Sequence, residues 1–313
     1  RGNSFMVADN ASMDLHEHLP AGNFVVKADA FGNLFLEQID DFEPPSKIYG
    51  DTMRNATRIM STYMSRPLST GVMLSGEKGS GKTLLAKMLS IESAKNSIPT
   101  IIINAAWQGD SFNKLIQDID QPAIVMFDEF EKTYAEPSDQ EAILTLLDGV
   151  YPTKKLFVIT CNDKWRVDQH MRNRPGRIFY MLEFSGLGVD FIREYCEDNL
   201  DNKDHIESIC TVSTLYGEFN FDMLKAMVEE MNRYSETPQE VLRMLNAKPE
   251  YAGKNQFDVE LIVDNKLIDI NDLDSPTWSG NPMGNDELDI SYKVYEEPGT
   301  KKSKKGNIPV PSL

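Results

Sequence analysis

An eight-residue, glycine-rich stretch has the residue types and spacing of a phosphate-binding loop. It reads G-x-x-x-x-G-K-T and consists of Gly76, Glu77, Lys78, Gly79, Ser80, Gly81, Lys82 and Thr83. Glycines let backbone N–H groups turn towards one centre without a Cβ clash, which suits binding of phosphate oxygens. We expect the Lys82 ammonium to reach the β- and γ-phosphates and the Thr83 hydroxyl to bind Mg²⁺. The stretch therefore predicts a site for ATP with magnesium.

A pair of carboxylates follows an apolar run further along the chain. Residues 124–127 are Ile-Val-Met-Phe, and Asp128 and Glu129 come next. Because ligands bind where the strands of an α/β sheet end, we expect both carboxylates beside the phosphate loop. We expect Asp128 to hold Mg²⁺ and Glu129 to act as general base on the attacking water. A kinase would need a phosphate loop too, but it would not need a base aimed at water.

The elements that must position these residues alternate between strands and helices. Short apolar runs predict strands at 71–74, 100–104, 123–127, 156–160 and 178–184, and helical periodicity predicts helices at 53–64, 84–95, 110–119 and 138–147. Nearly continuous apolar strands separated by helices indicate a parallel sheet that is covered on both faces. The predicted fold class is α/β, with the parallel sheet of a P-loop NTPase and a small all-helical lid after it. β-like extensions are expected at both ends of the chain.

Changes of pattern divide the sequence into five predicted regions. These are an N-terminal extension with a β-hairpin (1–46), the α/β ATPase core (47–187), the helical lid (188–248), a β-like C-terminal extension (249–295) and a disordered tail (296–313). The lid should contain helices at 189–199, 204–215, 221–234 and 238–246. The C-terminal extension should contain a hairpin that joins 259–263 to 267–270, and a strand at 288–294.

Bulk composition narrows the class of function. The net charge of -17 argues against a broadly basic surface that coats DNA. The three cysteines are scattered and form no C-x-x-C pair, which fits free thiols in a reducing compartment, so we expect a cytoplasmic protein. No apolar run approaches the roughly 20 residues that span a bilayer, so membrane insertion is not expected.

Two further polar motifs follow the phosphate loop and the acidic pair. Thr160-Cys161-Asn162-Asp163 ends the predicted fourth core strand, and Arg174-Pro175-Gly176-Arg177 comes after it. The order and spacing of the four motifs resemble those of the AAA+ superfamily, and within it the classical AAA clade. The resemblance covers roughly residues 47–246. It implies an ATPase that forms a homo-oligomeric ring, six subunits being the family default, and that acts on a protein client.

The resemblance also implies roles for individual residues. Asn162 would be the sensor-1 residue, whose amide contacts the γ-phosphate and positions the attacking water. Arg174 and Arg177 resemble arginine fingers, which complete the ATP site of the neighbouring subunit, and either could dominate. The family often reads D-P-A-L-x-R-P-G-R here, and this chain has one residue more before Arg174. Tyr49 and Gly50 lie where family members contact adenine.

The client is the least constrained part of the prediction. Trp107, Gln108 and Gly109 lie where AAA unfoldases place an aromatic pore loop, and the alternative is a tryptophan that packs against the edge of the sheet. A protein-remodelling ATPase is the favoured interpretation. A nucleic-acid-associated AAA+ ATPase, such as a helicase loader or a replication factor, is one alternative, supported only by four lysines in the tail. A non-motor ATP-dependent switch is the other.

Overall fold

The structure is a computed structural model. It describes residues 18–245, apart from 150, 152, 173, 215, 217 and 218, together with 257, 258, 260, 262, 263, 266, 267, 277 and 278. The chain divides into two compact units, residues 1–187 and residues 188–313. Within the described residues, the first unit contains a large sheet with its helices, and the second contains four α-helices and four short strands.

A seven-stranded sheet forms the centre of the first unit. Its strands are β1 (Asn23–Ala28), β2 (Leu34–Ile39), β3 (Thr70–Gly76), β4 (Thr100–Ile103), β5 (Ala123–Phe127), β6 (Lys155–Cys161) and β7 (Tyr180–Phe184). They lie in the order β2-β1-β4-β5-β6-β3-β7. Every neighbouring pair is parallel except β1 with β2. The predicted α/β class with a parallel sheet is confirmed, and each predicted core strand lies within two residues of the observed one.

Helices cover both faces of this sheet. They are α1 (Thr52–Ser65), α2 (Lys82–Ala94), α3 (Asp110–Asp118), α4 (Phe130–Thr133), α5 (Pro137–Leu147) and α6 (Gln169–Arg172), with a 3₁₀ turn at Lys164–Arg166. Successive residues of a strand point to opposite faces. Val125 and Phe127 therefore pack in one core with α3, α4 and α5, whereas Ile124 and Met126 pack in another with α1 and α2. This two-sided burial explains why β5 is apolar throughout.

The N-terminal hairpin is part of the same sheet. β1 pairs with β4 in parallel through Asn23–Val25, and Val26 is buried in the core. The turn between β1 and β2 is closed by Asp29, whose Oδ1 accepts the N–H groups of Phe31 and Asn33. The sequence placed residues 1–46 outside the α/β core, but the hairpin covers the edge that β4 would otherwise expose. Sequence periodicity does not show which strand a hairpin will join.

The second unit begins with helices, as expected. They are α7 (Val189–Asn199), α8 (Ile206–Ser213), α9 (Phe221–Tyr234) and α10 (Pro238–Met244), with a 3₁₀ turn at Lys203–His205. A capping box opens α10, because the Glu240 carboxylate accepts the Thr237 N–H at 2.9 Å and the Thr237 hydroxyl accepts the Glu240 N–H at 3.4 Å. Such a box fixes the start of the helix locally, which is why its position was readable from the sequence.

Four short strands follow. They are β8 (Phe257–Asp258), β9 (Ile262–Val263), β10 (Lys266–Leu267) and β11 (Thr277–Trp278). β9 and β10 pair antiparallel, which confirms the predicted hairpin at its turn, and β8 pairs with β11. The strand expected at 288–294 and the disordered tail expected at 296–313 lie outside the described residues.

Two general expectations concern membranes and thiols. Within the part of the chain that the structure describes, no helix has the length and apolar character needed to cross a bilayer. Cys161, Cys196 and Cys210 are buried free thiols. Burial raises the pKa of Cys161 and of Cys196 to about 12, and also raises the pKa of Cys210. None of the three is therefore an activated nucleophile at neutral pH.

Candidate active site

The glycine-rich loop connects the end of β3 to the start of α2. Gly76, Gly79 and Gly81 have φ angles of 139°, 74° and 101°, a region that residues with a Cβ rarely adopt. A Cβ on Gly76 would also lie 2.0 Å from the carbonyl oxygen of Phe184. The glycines are thus required by the path of the backbone. Because the loop ends at the first turn of α2, the positive end of that helix dipole faces the loop.

Lys82 is folded over this loop. Its side chain is buried, with 7% of its surface exposed, and its ammonium donates to the carbonyl oxygens of Gly76 at 2.5 Å and Glu77 at 2.6 Å. Burial lowers the pKa of Lys82, and nearby acidic groups, Glu131 and Asp128 among them, oppose that shift. The lysine of the phosphate loop and the acidic end of β5 are therefore close enough to interact electrostatically.

A threonine on the neighbouring strand holds the acidic pair. The Thr160 hydroxyl donates to Asp128 Oδ1 at 2.6 Å and accepts the backbone N–H of Glu129 at 2.9 Å. Thr160 is buried in β6, and it fixes the Asp128 carboxylate and the Glu129 backbone with one oxygen. From the sequence, Thr160 was predicted only to lie at the end of a strand. A single hydroxyl at the polar end of an apolar strand was the signal available.

Glu129 has an uncommon backbone conformation. Its φ of 47° and ψ of 51° lie in the left-handed region, which costs a residue with a Cβ about 1–3 kcal/mol. Its carboxylate pairs with the Lys132 ammonium, which lowers the pKa of Glu129 below its usual value. A lowered pKa means that the carboxylate stays ionised throughout the neutral range. Glu129 is thus available to accept a proton, and its backbone geometry sets the direction of its side chain.

The amide of Asn162 lies between two carboxylates. Its backbone N–H and its Nδ2 donate to Glu131 Oε1, at 3.0 Å and 2.9 Å. A hydrogen bond from the Asn162 side chain also helps to lower the pKa of Glu129. Sequence reasoning missed Glu131, because an acidic residue two positions after an acidic pair looks like the exposed face of a helix. In the structure α4 turns Glu131 inward instead.

The two candidate finger arginines have different surroundings. The Arg177 guanidinium pairs with the Asp148 carboxylate through two nitrogens and donates to the His170 carbonyl at 2.8 Å, and its side chain is 9% exposed. This pairing holds the pKa of Asp148 below its usual range. Arg174 is exposed, and its side chain has no ion pair or hydrogen bond to another described residue, whereas its backbone carbonyl accepts the N–H groups of Arg177 and Ile178. Both line a cavity of about 630 Å³ together with Tyr151.

The predicted pore-loop residues lie between β4 and α3. The half-buried Trp107 ring packs against the core, and its indole N–H is buried without a partner among the described residues. The Trp107 carbonyl accepts the Tyr134 hydroxyl at 2.8 Å, and the Gln108 amide donates to Asp139 at 3.2 Å. Gly109 has a positive φ. This placement corresponds to the packing alternative, and the pore-loop role stays a prediction.

The candidate adenine contacts precede α1. Tyr49 is half-buried, and the Lys47 ammonium lies 4.9 Å from the centre of its ring. Gly50 has a φ of 64°, so its backbone takes a path that favours glycine. The adenine role of both residues stays a prediction.

Replacing Thr160 with valine tests the link between the two strands. Valine keeps the shape and burial of the side chain but removes the hydroxyl that fixes Asp128 and Glu129. We expect kcat for ATP hydrolysis to fall about 10- to 100-fold, because a small misplacement of the catalytic groups lowers the rate by about this factor. The KM should change less than kcat. Thr160→Ser, which keeps the hydroxyl, is the matched control, and equal losses in both variants would contradict this role.

Residues 72–185 match the family described as "ATPase family associated with various cellular activities (AAA)". One similar protein is the putative cell division cycle ATPase of Plasmodium falciparum, 30% identical over 37% of this chain and 11% of that protein. A second is the peroxisomal ATPase PEX1 of Cricetulus griseus, 28% identical over 52% of this chain and 14% of that protein. A third is the nuclear valosin-containing protein-like of Mus musculus, 28% identical over 43% of this chain and 17% of that protein. The chain thus spans less than a fifth of the length of these relatives. Among solved structures, the FIGL-1 AAA domain in complex with ADP matches with a TM-score of 0.46 and 15% identity, over 67% of this chain and 77% of that one.

Proposed function

Since the chain carries an AAA ATPase domain, which places it in the AAA+ superfamily, we propose that it hydrolyses Mg-ATP within a homo-oligomeric ring and uses the energy to remodel or unfold a protein client. The observation that most supports this is the grouping of Lys82, Asp128, Glu129 and Asn162 at one edge of the sheet. Each side chain has the chemistry that one part of ATP hydrolysis requires.

The loop and its neighbours fit a magnesium nucleotide. Lys82 holds its ammonium against two loop carbonyls, and phosphate oxygens would take over those bonds. Thr83, exposed in the first turn of α2, and Asp128, exposed after β5, offer oxygen atoms, the ligands that Mg²⁺ prefers. When bound, Mg²⁺ would offset negative charge on the phosphate oxygens. Tyr49 and Gly50 would contact the adenine.

The acidic side of the site provides the proton acceptor. Glu129 stays ionised at neutral pH and would accept a proton from the attacking water. Asn162 would hold that water or the γ-phosphate through its amide. Since Thr160 fixes the Glu129 backbone, the base keeps its direction without help from the nucleotide. This preorganisation is what an in-line attack by water requires.

An exposed arginine supports the ring. The Arg174 side chain has no ion pair or hydrogen bond to another described residue, whereas the Arg177 side chain pairs with Asp148. An arginine finger must be able to reach a phosphoryl group in another subunit, so Arg174 fits that role better. We propose Arg174 as the finger and Arg177 as the residue that holds its loop. The ring would contain about six subunits, in line with closed symmetry.

Trp107 supports a second candidate function. Its ring packs on the core instead of projecting from the domain. An ATPase without a protruding aromatic could act as a switch that holds a partner in one state and does not pull on a chain. The same proposed site would then bind and hydrolyse ATP, but hydrolysis would end a complex instead of driving translocation.

Stimulation of ATP turnover separates these functions. Under the remodelling proposal, a permanently unfolded protein should raise the rate several-fold, and single- or double-stranded DNA should not. Trp107→Leu keeps an apolar side chain for core packing but removes the aromatic ring, so it should spare basal turnover and abolish the stimulation. Stimulation by DNA alone would favour the nucleic-acid alternative. No stimulation by either, with normal basal turnover, would favour the switch.

A further inference from the structure

Glu131 is a buried carboxylate next to the nucleotide site. It lies in α4 with 6% of its surface exposed, and it contributes to the electrostatic environment of Lys82. Its Oε1 accepts two hydrogen bonds from Asn162, whereas its Oε2 is buried without a partner among the described residues. Burying a carboxylate that is only partly hydrogen-bonded is unfavourable, and an apolar side chain of similar size would suit the core better. Stability alone therefore does not account for Glu131.

The two bonds to Glu131 restrain Asn162 in a specific way. One comes from the backbone N–H and the other from the side-chain Nδ2, and both end on the same oxygen. A carboxylate oxygen accepts hydrogen bonds, so the nitrogen of the amide and not its oxygen must face Glu131. A single bond to the amide would leave the side chain free to pivot. The second bond, which the Asn162 backbone N–H donates, fixes the position of Glu131 Oε1 relative to the Asn162 side chain.

We propose that Glu131 is a positioning residue, which holds the Asn162 amide in the orientation that ATP hydrolysis requires. This inference rests on the proposed ATPase function of the same site. Glu131 contacts Asn162 and acts on the reaction only through that residue. One Nδ2 hydrogen is then directed to Glu131 and the other towards Glu129, so the amide is held in one fixed arrangement beside the general base.

Removing the carboxylate should affect the chemical step more than binding. Glu131→Leu is expected to lower kcat by about 10- to 100-fold, because a small misplacement of a catalytic group has an effect of this size. The KM and the dissociation constant for ATP should stay within about threefold, since the phosphate loop is unchanged. Glu131→Gln is the matched control. Its side-chain oxygen can accept the same two bonds, so it should retain most of the turnover.

A double-mutant cycle tests whether the effect passes through Asn162. In an Asn162→Ala background, Glu131→Leu should lower kcat by less than about twofold, because the amide that it positions is already absent. Equal fold-losses in the two backgrounds would overturn the proposal. Thermal unfolding of all four proteins shows whether they are folded, and Glu131→Met, which also removes the carboxylate, replaces Glu131→Leu in the same cycle if that variant does not fold.

A second readout separates this inference from the proposed function. Hydrogen exchange of the Asn162 backbone N–H, followed by NMR in the protein without nucleotide, should be slower in the wild type than in Glu131→Leu. If the wild type hydrolyses ATP no faster than Glu129→Gln, the ATPase proposal is refuted. Slower exchange of the Asn162 N–H in the wild type than in Glu131→Leu would still support the restraint on Asn162. Unchanged exchange in Glu131→Leu would overturn the restraint even if its kcat fell.

Discussion

Glu129→Gln is expected to stop ATP turnover while leaving ATP binding intact. Glutamine keeps the size of the side chain, but its amide does not accept the proton of the attacking water. We expect kcat to fall by about 10²- to 10⁴-fold, the usual contribution of a general base. The backbone bond from Glu129 to the Thr160 hydroxyl does not involve the carboxylate, so the local fold should be retained. Phosphate release and equilibrium binding of ATP are the two measurements.

The same variant tests assembly. With ATP and Mg²⁺, light scattering should show a shift from smaller species to a closed oligomer of about six subunits. Bound ATP should stabilise the oligomer because it contacts residues of two neighbouring subunits. Lys82→Ala is the control, since it removes the phosphate contact and should not assemble with ATP. A Glu129→Gln protein that binds ATP but keeps the mass of a monomer would contradict the ring. One that keeps substantial turnover would contradict the general base.

Chemistry that needs a particular backbone could be predicted from sequence. Gly76, Gly79 and Gly81 are at positions with positive φ, so the glycines of the motif indicate the backbone conformation of the loop. The unbroken apolar run of β5 indicates that this strand is buried on both faces of the sheet. Phosphate binding and sheet packing restrict the residue types strongly, and both restrictions act within a short stretch of chain.

Contacts between distant residues could not be predicted in this way. Phe127 pairs with Ile159 across β5 and β6, and this register brings Thr160 beside Asp128. Periodicity predicts each strand but not the register between strands. Glu131 was missed for a related reason, because the four-residue α4 is too short for its buried face to be read from a pattern. The pairing of the N-terminal hairpin with β4 depends on the whole sheet.

Arg174→Ala is expected to lower ATP turnover on the order of 10³-fold in the assembled protein, the usual effect of removing an arginine finger. Its exposed side chain has no ion pair or hydrogen bond to another described residue, so the free energy of unfolding should change by less than about 0.5 kcal/mol. Arg177→Ala should behave differently. It removes the partner of the half-exposed Asp148 and should lower the stability by about 1–2 kcal/mol. Thermal unfolding and turnover of both variants measure this contrast.

Mixing two inactive variants tests whether Arg174 acts on a neighbouring subunit. An Arg174→Ala subunit keeps its own general base, and a Glu129→Gln subunit keeps its own finger. A complete site forms where a Glu129→Gln subunit supplies its finger to a neighbouring Arg174→Ala subunit. In a random equal mixture about half of the sites have the base and about half of those receive a finger, so about a quarter of the wild-type sites should be recovered. Arg174→Ala mixed with a double variant of Glu129→Gln and Arg174→Ala is the control and should recover none. If the first mixture also stays inactive although both proteins enter one oligomer, Arg174 does not complete a neighbour's site.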